Sequence, residues 1–421
     1  MKAQQVPSRR SKRIRRSKRV GHSTRTGALR PVPLLTLSLA AASLAGACTS
    51  HAAAESAPRA AAATDKAASA AAACVDRTFG AMTSAQRVGQ LFMGAVTPSG
   101  PDEQKIRLMR RYHVGSVFLA GRSSAGTKAT KALVDGLQAK ADTVGGHRVP
   151  LLVSTDQEGG RVQVLSGLGF STMPSALVQG GWSASYLRSQ ATMWAGQLRA
   201  AGVNLNLAPV ADVVPASLGR SNAPIGAYDR EFGHTAATVT PHSNAFAAGM
   251  ARSKVLATLK HFPGLGNVRG NTDTTANVVD SVTTSTSAGL GPFRSGIRAG
   301  APFVMVSSAT YSRIDPRHQA VFSAKVIQGL LRTNLGFKGV VVSDDIGQAV
   351  AVKAVPPADR AVNFLSAGGD LVLTVEPNLI PTMAKAVQLR MTENPAFRTQ
   401  VNQSVHRVLA AKQQEGLLSC G

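Results

Sequence analysis

The sequence predicts an α/β protein: a single (β/α)8 barrel of the TIM type, preceded by a signal or lipoprotein leader and an alanine-rich tether. Three observations carry this reading. Eight short apolar runs rich in β-branched residues follow one another from Phe79 onward, and segments of helical length and period lie between them. Four polar residues, Asp156, Lys260, His261 and Asp344, fall at or just past the C-terminal ends of such runs, the end where a barrel keeps its chemistry.

The runs are Leu91–Val96, Gly115–Ala120, Pro150–Asp156, Leu205–Val210, Leu256–Phe262, Pro302–Ser308, Gly339–Asp345 and Leu371–Val375. Helices are expected over Asp102–Tyr112, Ala129–Thr143, Ala184–Ala201 and Ser323–Leu335. Strand and helix alternating eight times argue for one parallel sheet closed on itself, spanning residues 74–421 as one domain. A hydrophobic fraction of 44% with 16% charged residues supports so large a core and excludes a disordered or fibrous chain.

The formal charge of +25 would suggest a nucleic-acid partner, but residues 1–30 hold 11 Lys and Arg and no acid. From Cys74 onward the excess is only +14, and no nucleic acid is expected. The basic stretch is followed by an apolar, small-residue run ending at Ala47, which reads as a signal peptide over 1–47. Leu44–Cys48 resembles a bacterial lipobox, so Cys48 is a candidate for lipidation. The protein is then exported, and is either extracellular or tethered to the outer face of the membrane through Cys48. Residues 48–73, dominated by alanine without an apolar stripe, read as a tether rather than a fold. Two further cysteines, Cys74 and Cys420, flank the barrel, and in an exported chain they pair most simply as a disulfide.

Ser154–Gln163 (STDQEGGRVQ), Lys260–Gly264 (KHFPG) and Gly336–Asp345 (GFKGVVVSDD) together carry a family resemblance. Met82–Met93, Leu207–Val213, Arg230–Gly233 and Ala367–Val372 add to it. Over residues 79–410 the chain resembles glycoside hydrolase family 3, in its single-barrel β-N-acetylglucosaminidase branch. The resemblance implies a retaining mechanism through a covalent glycosyl-enzyme, with Asp344 of the Ser-Asp motif as nucleophile. It also implies that Asp156 accepts sugar hydroxyl protons and that Lys260, His261 and Arg230 contact the substrate. Asp345 fits a capping role, while Glu158, Arg161 and Asp212 fit a supporting one.

Two departures from the branch stand out. The branch continues past its Lys-His-Phe-Pro-Gly to a mobile loop whose histidine is the acid/base, whereas here Leu265–Thr275 contains no histidine. A gap-free register puts Asp273 at that place, and a two-residue gap puts Thr275 there. A carboxylic acid shuttles protons near neutral pH and a threonine hydroxyl does not, so Asp273 is the acid/base candidate. Its pKa must then be raised by burial and by the Asp344 charge. Secondly, Val164 stands where the branch has arginine, which bears on sugar preference.

The expected activity is an exo-acting β-N-acetylhexosaminidase-like hydrolysis of carbohydrate, because aromatic residues at 5%, with only Trp182 and Trp194 as indoles, are few for an extended polysaccharide cleft. A β-glucosidase or β-xylosidase on the same fold, or a non-catalytic sugar-binding lipoprotein, are the alternatives. No metal-ligand spacing or nucleotide fingerprint is present, so neither metal nor cofactor is expected.

Overall fold

A computed structural model describes residues 56–419 of the chain. Eight strands, β1 (Phe92–Val96), β2 (Ser116–Leu119), β3 (Leu152–Thr155), β4 (Leu205–Asn206), β5 (Leu256–Phe262), β6 (Phe303–Val306), β7 (Val340–Ser343) and β8 (Val372–Thr374), form one parallel sheet in chain order. Met93 pairs with Ser116, Val117 with Val153, Ser154 with Leu205, Leu205 with Leu256, Thr258 with Phe303 and Val304 with Val341. Phe92 pairs with Val372, joining β1 to β8. The bridge between Val342 and Leu371, with the Ser343 N–H donating to the Leu371 carbonyl at 3.0 Å, brings β7 to β8 and closes the barrel.

The alternation of side chains along a strand explains why each run is apolar throughout. Met93, Phe118, Leu152, Phe303, Met305, Val340, Val342 and Leu373 pack together in the barrel interior. Their neighbours Phe92, Val117, Val153, Val304, Val341 and Val372 pack outward in the shell under the helices. Both faces are buried, so both sets must be apolar. At the end where the strands start, Val408 and Ala411 of the C-terminal helix Pro395–Gln414 join the interior cluster and close the barrel floor.

The expected helices at 102–112 and 184–201 are found as Glu103–Arg111 and Ala184–Ala200. Each is started by a side chain that accepts from the first turn, Asp102 and Ser183 respectively. The segment 323–335 is a π-helix over Lys325–Asn334, and the same wide spacing ends it, where the Leu335 N–H reaches the Leu330 carbonyl at 3.0 Å. The helix expected at 129–143 instead spans Gly126–Gln138. Thr143–Val144 pairs with His147–Arg148 across Gly145 and Gly146, whose φ values of 56° and 82° permit the reversal.

Part of the segment expected as a tether is helical. Ser56–Ala81 is one continuous helix, and the side chains of Cys74 and Val75 in its later turns are part of the core. Alanine is the strongest helix former, so a stretch lacking an apolar stripe still winds by propensity alone. No described helix is long and apolar enough to cross a membrane. The signal peptide over 1–47, Cys48 and Cys420 lie outside the described residues. Cys74 itself is 2% exposed and disulfide-bonded, its sulfur 3.4 Å from Gln413 Oε1 near the end of the C-terminal helix.

Candidate active site

The C-terminal strand ends surround a cavity of about 340 Å3, and Asp156, Arg230, Lys260, His261, Asp273 and Asp344 all line it. Six residues spread over 189 positions of sequence therefore meet at one place.

One wall is built around Glu158. Past β3 the chain turns at Gly159 and Gly160, whose φ values are 108° and 56°. A Cβ on Gly159 would lie 2.2 Å from the Pro174 carbonyl oxygen, so this turn admits only glycine. The turn holds Glu158 inward, 3% exposed, where it accepts 2.6 Å from Lys260 Nζ and takes two bonds from Arg230, Nε at 2.9 Å and Nη2 at 2.8 Å. Burial alone would raise the Glu158 pKa, but the two cations outweigh it and hold the carboxyl down at about 2. Lys260 also donates to Asp156 Oδ1 at 2.5 Å. Burial disfavours its charged form, yet Asp156 and Glu158 keep the ammonium pKa raised. Arg230 is delivered by the loop that Asn222 organises. The Asn222 Oδ1 accepts from Ile225 and Gly226 N–H, and its Nδ2 donates to the Leu265 carbonyl at 2.7 Å. Arg230 therefore lines the cavity and is ion-paired at once.

Successive residues on a strand face opposite ways, yet Lys260 and His261 both reach the cavity; the peptide between them is cis. Asp212 orients the imidazole by pairing with His261 Nδ1 at 2.8 Å, while its other oxygen accepts the backbone N–H groups of His261 and Leu265. The other ring nitrogen, Nε2, lies 3.5 Å from Arg230 Nη2.

The opposite wall holds the carboxylates. Asp344 follows β7 and its backbone N–H is fixed to the Val306 carbonyl at 3.0 Å. Asp345 also lines the cavity, and its carboxylate accepts the N–H groups of Gly347, Gln348, Ala349 and Val375, holding the loop after β7. Asp273 sits on the loop after β5. Its N–H donates to Asn271 Oδ1 at 2.9 Å, and the carbonyls of Thr272 and Asp273 accept from Ala351 and Val350 at 3.0 and 3.1 Å. These bonds press the two loops together. Although Asp273 as a residue is exposed, its carboxyl faces the cavity. Desolvation there, and next the charge of Asp344, push its pKa up to about 6, against the opposing pull of Arg230 and His261. Thr275, the other register, does not line the cavity.

Residues 83–411 match the Glycosyl hydrolase family 3 N terminal domain. The chain belongs to glycosyl hydrolase family 3. It is 39% identical over 260 residues, 59% of this chain and 74% of the relative, to a beta-hexosaminidase of Xylella fastidiosa (strain M23). Among solved structures it is similar to a beta-N-acetylhexosaminidase from Beutenbergia cavernae DSM 12333, with 50% identity, a TM-score of 0.77 and 79% and 98% of the two chains covered. M tuberculosis LpqI is a further similar structure at 28% identity and TM-score 0.66, covering 78% and 93%. This family 3 chain is a glycoside hydrolase of the β-hexosaminidase-like type.

Sequence reasoning overlooked several residues of the family 3 pocket. Phe118, Met305 and Leu373 line its floor and were legible only as the last inward positions of their strands. Gln348, whose Nε2 donates to Glu376 Oε2 at 3.3 Å, carries no sequence signal. Arg161, expected to support the loops with Glu158 and Asp212, is exposed and lines a neighbouring hollow instead. Trp182 and Trp194 pack with Tyr186 and Phe246 and do not line the cavity.

Proposed function

We propose that the protein is a retaining β-N-acetylhexosaminidase that removes one terminal amino sugar at a time. A carboxylate of Asp344 attacks the anomeric carbon while Asp273 gives its proton to the glycosidic oxygen, so the leaving alcohol departs neutral and an ester joins the sugar to Asp344. Esterification removes the Asp344 charge, and with it one cause of the raised Asp273 pKa. Asp273 then works as the base, taking a proton from the water that attacks the anomeric carbon and frees Asp344. Asp156, Lys260, Arg230 and His261 hold the ring hydroxyls on the facing wall.

The observation that supports this most directly is the pairing of Asp273 and Asp344 on one small cavity, with Asp273 kept partly protonated near neutral pH. A panel of nitrophenyl β-glycosides with wild-type protein and Asp344→Asn tests it. Turnover of the N-acetylglucosaminide, lowered by several orders of magnitude in Asp344→Asn, is expected. Val164 is buried and apolar beside Asp156, which keeps a β-glucosidase or β-xylosidase as the second reading; faster release from the glucoside or xyloside selects it. Binding without release from any of them selects the non-catalytic alternative. Export through residues 1–47 and acylation of Cys48 belong to the same proposal, and radiolabelled palmitate incorporated by wild-type but not by Cys48→Ala checks them.

A further inference from the structure

A second hollow, about 400 Å3 in volume, opens beside the catalytic cavity. It shares Phe118, Asp156 and Val375 with that cavity and adds Arg122, Arg161 and Val164, while Asp273 and Asp344 line only the first. The scissile bond lies at the two carboxylates, so the leaving group departs on their side. Whatever enters the hollow is therefore carried by the far edge of the sugar being released, the edge that Asp156 faces. In a hexopyranose that edge bears the 4- and 6-hydroxyls, and the exocyclic 6-oxygen has the longer reach.

The charge of the hollow is one-sided. Its carboxylate, Asp156, is already paired with Lys260. Arg122 is held in place by donating from Nη1 to the Gln163 carbonyl at 3.1 Å and from Nη2 to the Arg161 carbonyl at 2.6 Å. Each terminal nitrogen keeps a second N–H, and Nε–H brings the remainder to three. The Arg161 guanidinium lies 5.8 Å from the centre of the Tyr228 ring, within cation–π range. Two positioned guanidinium groups are a recognition element for a tetrahedral oxyanion rather than a neutral hydroxyl. Val164 contributes apolar wall that offers such an anion no repulsion.

We propose that this hollow binds an anionic ester, sulfate or phosphate, on the 6-position of the sugar being released, so that the enzyme prefers charged amino sugars to plain ones. The proposal rests on the reading of the catalytic cavity given above. Nitrophenyl N-acetyl-β-glucosaminide and its 6-O-sulfo and 6-O-phospho forms are compared by kcat/KM in wild-type, Arg161→Glu and Arg122→Ala, together with calorimetric binding of the corresponding free sugars. A charged form is expected to be favoured in the wild type, and its advantage over the plain form to fall about tenfold in each variant and to shrink with added salt. The sulfated and phosphorylated arms show which anion is taken. Because the ratio is read within one variant, a general loss of activity does not alter it. Hydrolysis of the plain sugar with no preference for either charged form, or a preference that both variants retain, overturns the proposal. Absence of turnover on all three overturns the hydrolase reading alone, and the binding ratio then decides the hollow by the same criterion.

Discussion

Asp273 concentrates what is particular to this protein. On the proposed mechanism its pKa of about 6 means that the proton for leaving-group departure is lost as pH rises through that value, so activity on substrates with poor leaving groups should fall above about pH 6. Nitrophenyl substrates need that proton less. Asp273→Ala should therefore slow poor leaving groups far more than nitrophenyl ones, and azide, which attacks the glycosyl-enzyme without base help, should restore nitrophenyl turnover; equal losses on both classes would move the acid/base elsewhere. The same shift has a consequence for stability. A carboxyl with a folded pKa above its usual 3.8 contributes least once ionised, so stability attributable to it is lost between about pH 4 and 6. Asp273→Asn should accordingly raise Tm relative to wild type at pH 7 and not at pH 4. That Asp273 lines the cavity was legible because a missing histidine forced the question of what else could carry a proton. The burial that tunes it depends on loop contacts with Val350 and Ala351, some 80 residues away, which no local pattern records. Glu158 shows the converse. Its supporting role was readable, but not that one carboxylate holds both Lys260 and Arg230. Glu158→Ala leaves both buried cations short of a partner, and chemical denaturation should show a loss of about 3–5 kcal/mol, together with impaired substrate binding.

Between residue and fold lie the two loops that carry Asp273 and Asp344. The loop after β7 is itself anchored from behind, where the buried Arg360 donates to the carbonyls of Ile346, Gly347 and Val355. From this support the Val350 N–H reaches the Asp273 carbonyl at 3.1 Å. Val350 is the first residue of a short helical turn, and Ala349 before it is extended at φ −53° and ψ 128°. Proline is accepted at such a first position and after such a residue, so Val350→Pro removes the donor while leaving the turn intact. The expected outcome is a several-fold drop in kcat for poor leaving groups with an unchanged Tm; full activity would show that the inter-loop bond does not position Asp273. Element by element, the strands were legible because burial on both faces makes them continuous apolar runs. Loop geometry was not: the expected strand 205–210 is regular only over Leu205–Asn206 and pairs again at Val210 as a single bridge to Lys260, and Gly145-Gly146 turns an expected helix end into a hairpin. The helix at Ser56–Ala81 was not legible because alanine carries helix propensity without amphipathic period.

At the scale of the whole molecule the chemistry sits at one end of the barrel and its closure at the other. The C-terminal helix covers the floor, and beneath its apolar contacts Lys412 is fully buried, donating from Nζ to Gln90 Oε1 at 2.6 Å. The disulfide of Cys74 lies at the same end, and Cys420 is the partner the sequence predicts for it. That pairing would close a loop of about 345 residues, for which chain-entropy models allow up to roughly 5 kcal/mol, and intact mass after alkylation with and without reduction tests it. Lys412 works against this closure. Burial, only partly offset by Asp142, pushes its pKa down to about 7. Above that value the folded chain has released the Lys412 proton, while the unfolded chain keeps its own up to the usual 10.5. The unfolded state therefore binds more protons between about pH 7 and 10.5, and stability attributable to this residue rises with pH across that window. Below pH 7 both states carry the charge and the folded state bears the whole cost of burying it. Lys412→Met keeps the stem's packing, removes the charge and costs the Gln90 bond at every pH. The difference in Tm between variant and wild type should thus be most favourable to the variant at pH 6 and shrink steadily toward pH 10, and a difference independent of pH would mean that burial leaves the Lys412 pKa unshifted, so that the folded chain keeps the charge as long as the unfolded chain does.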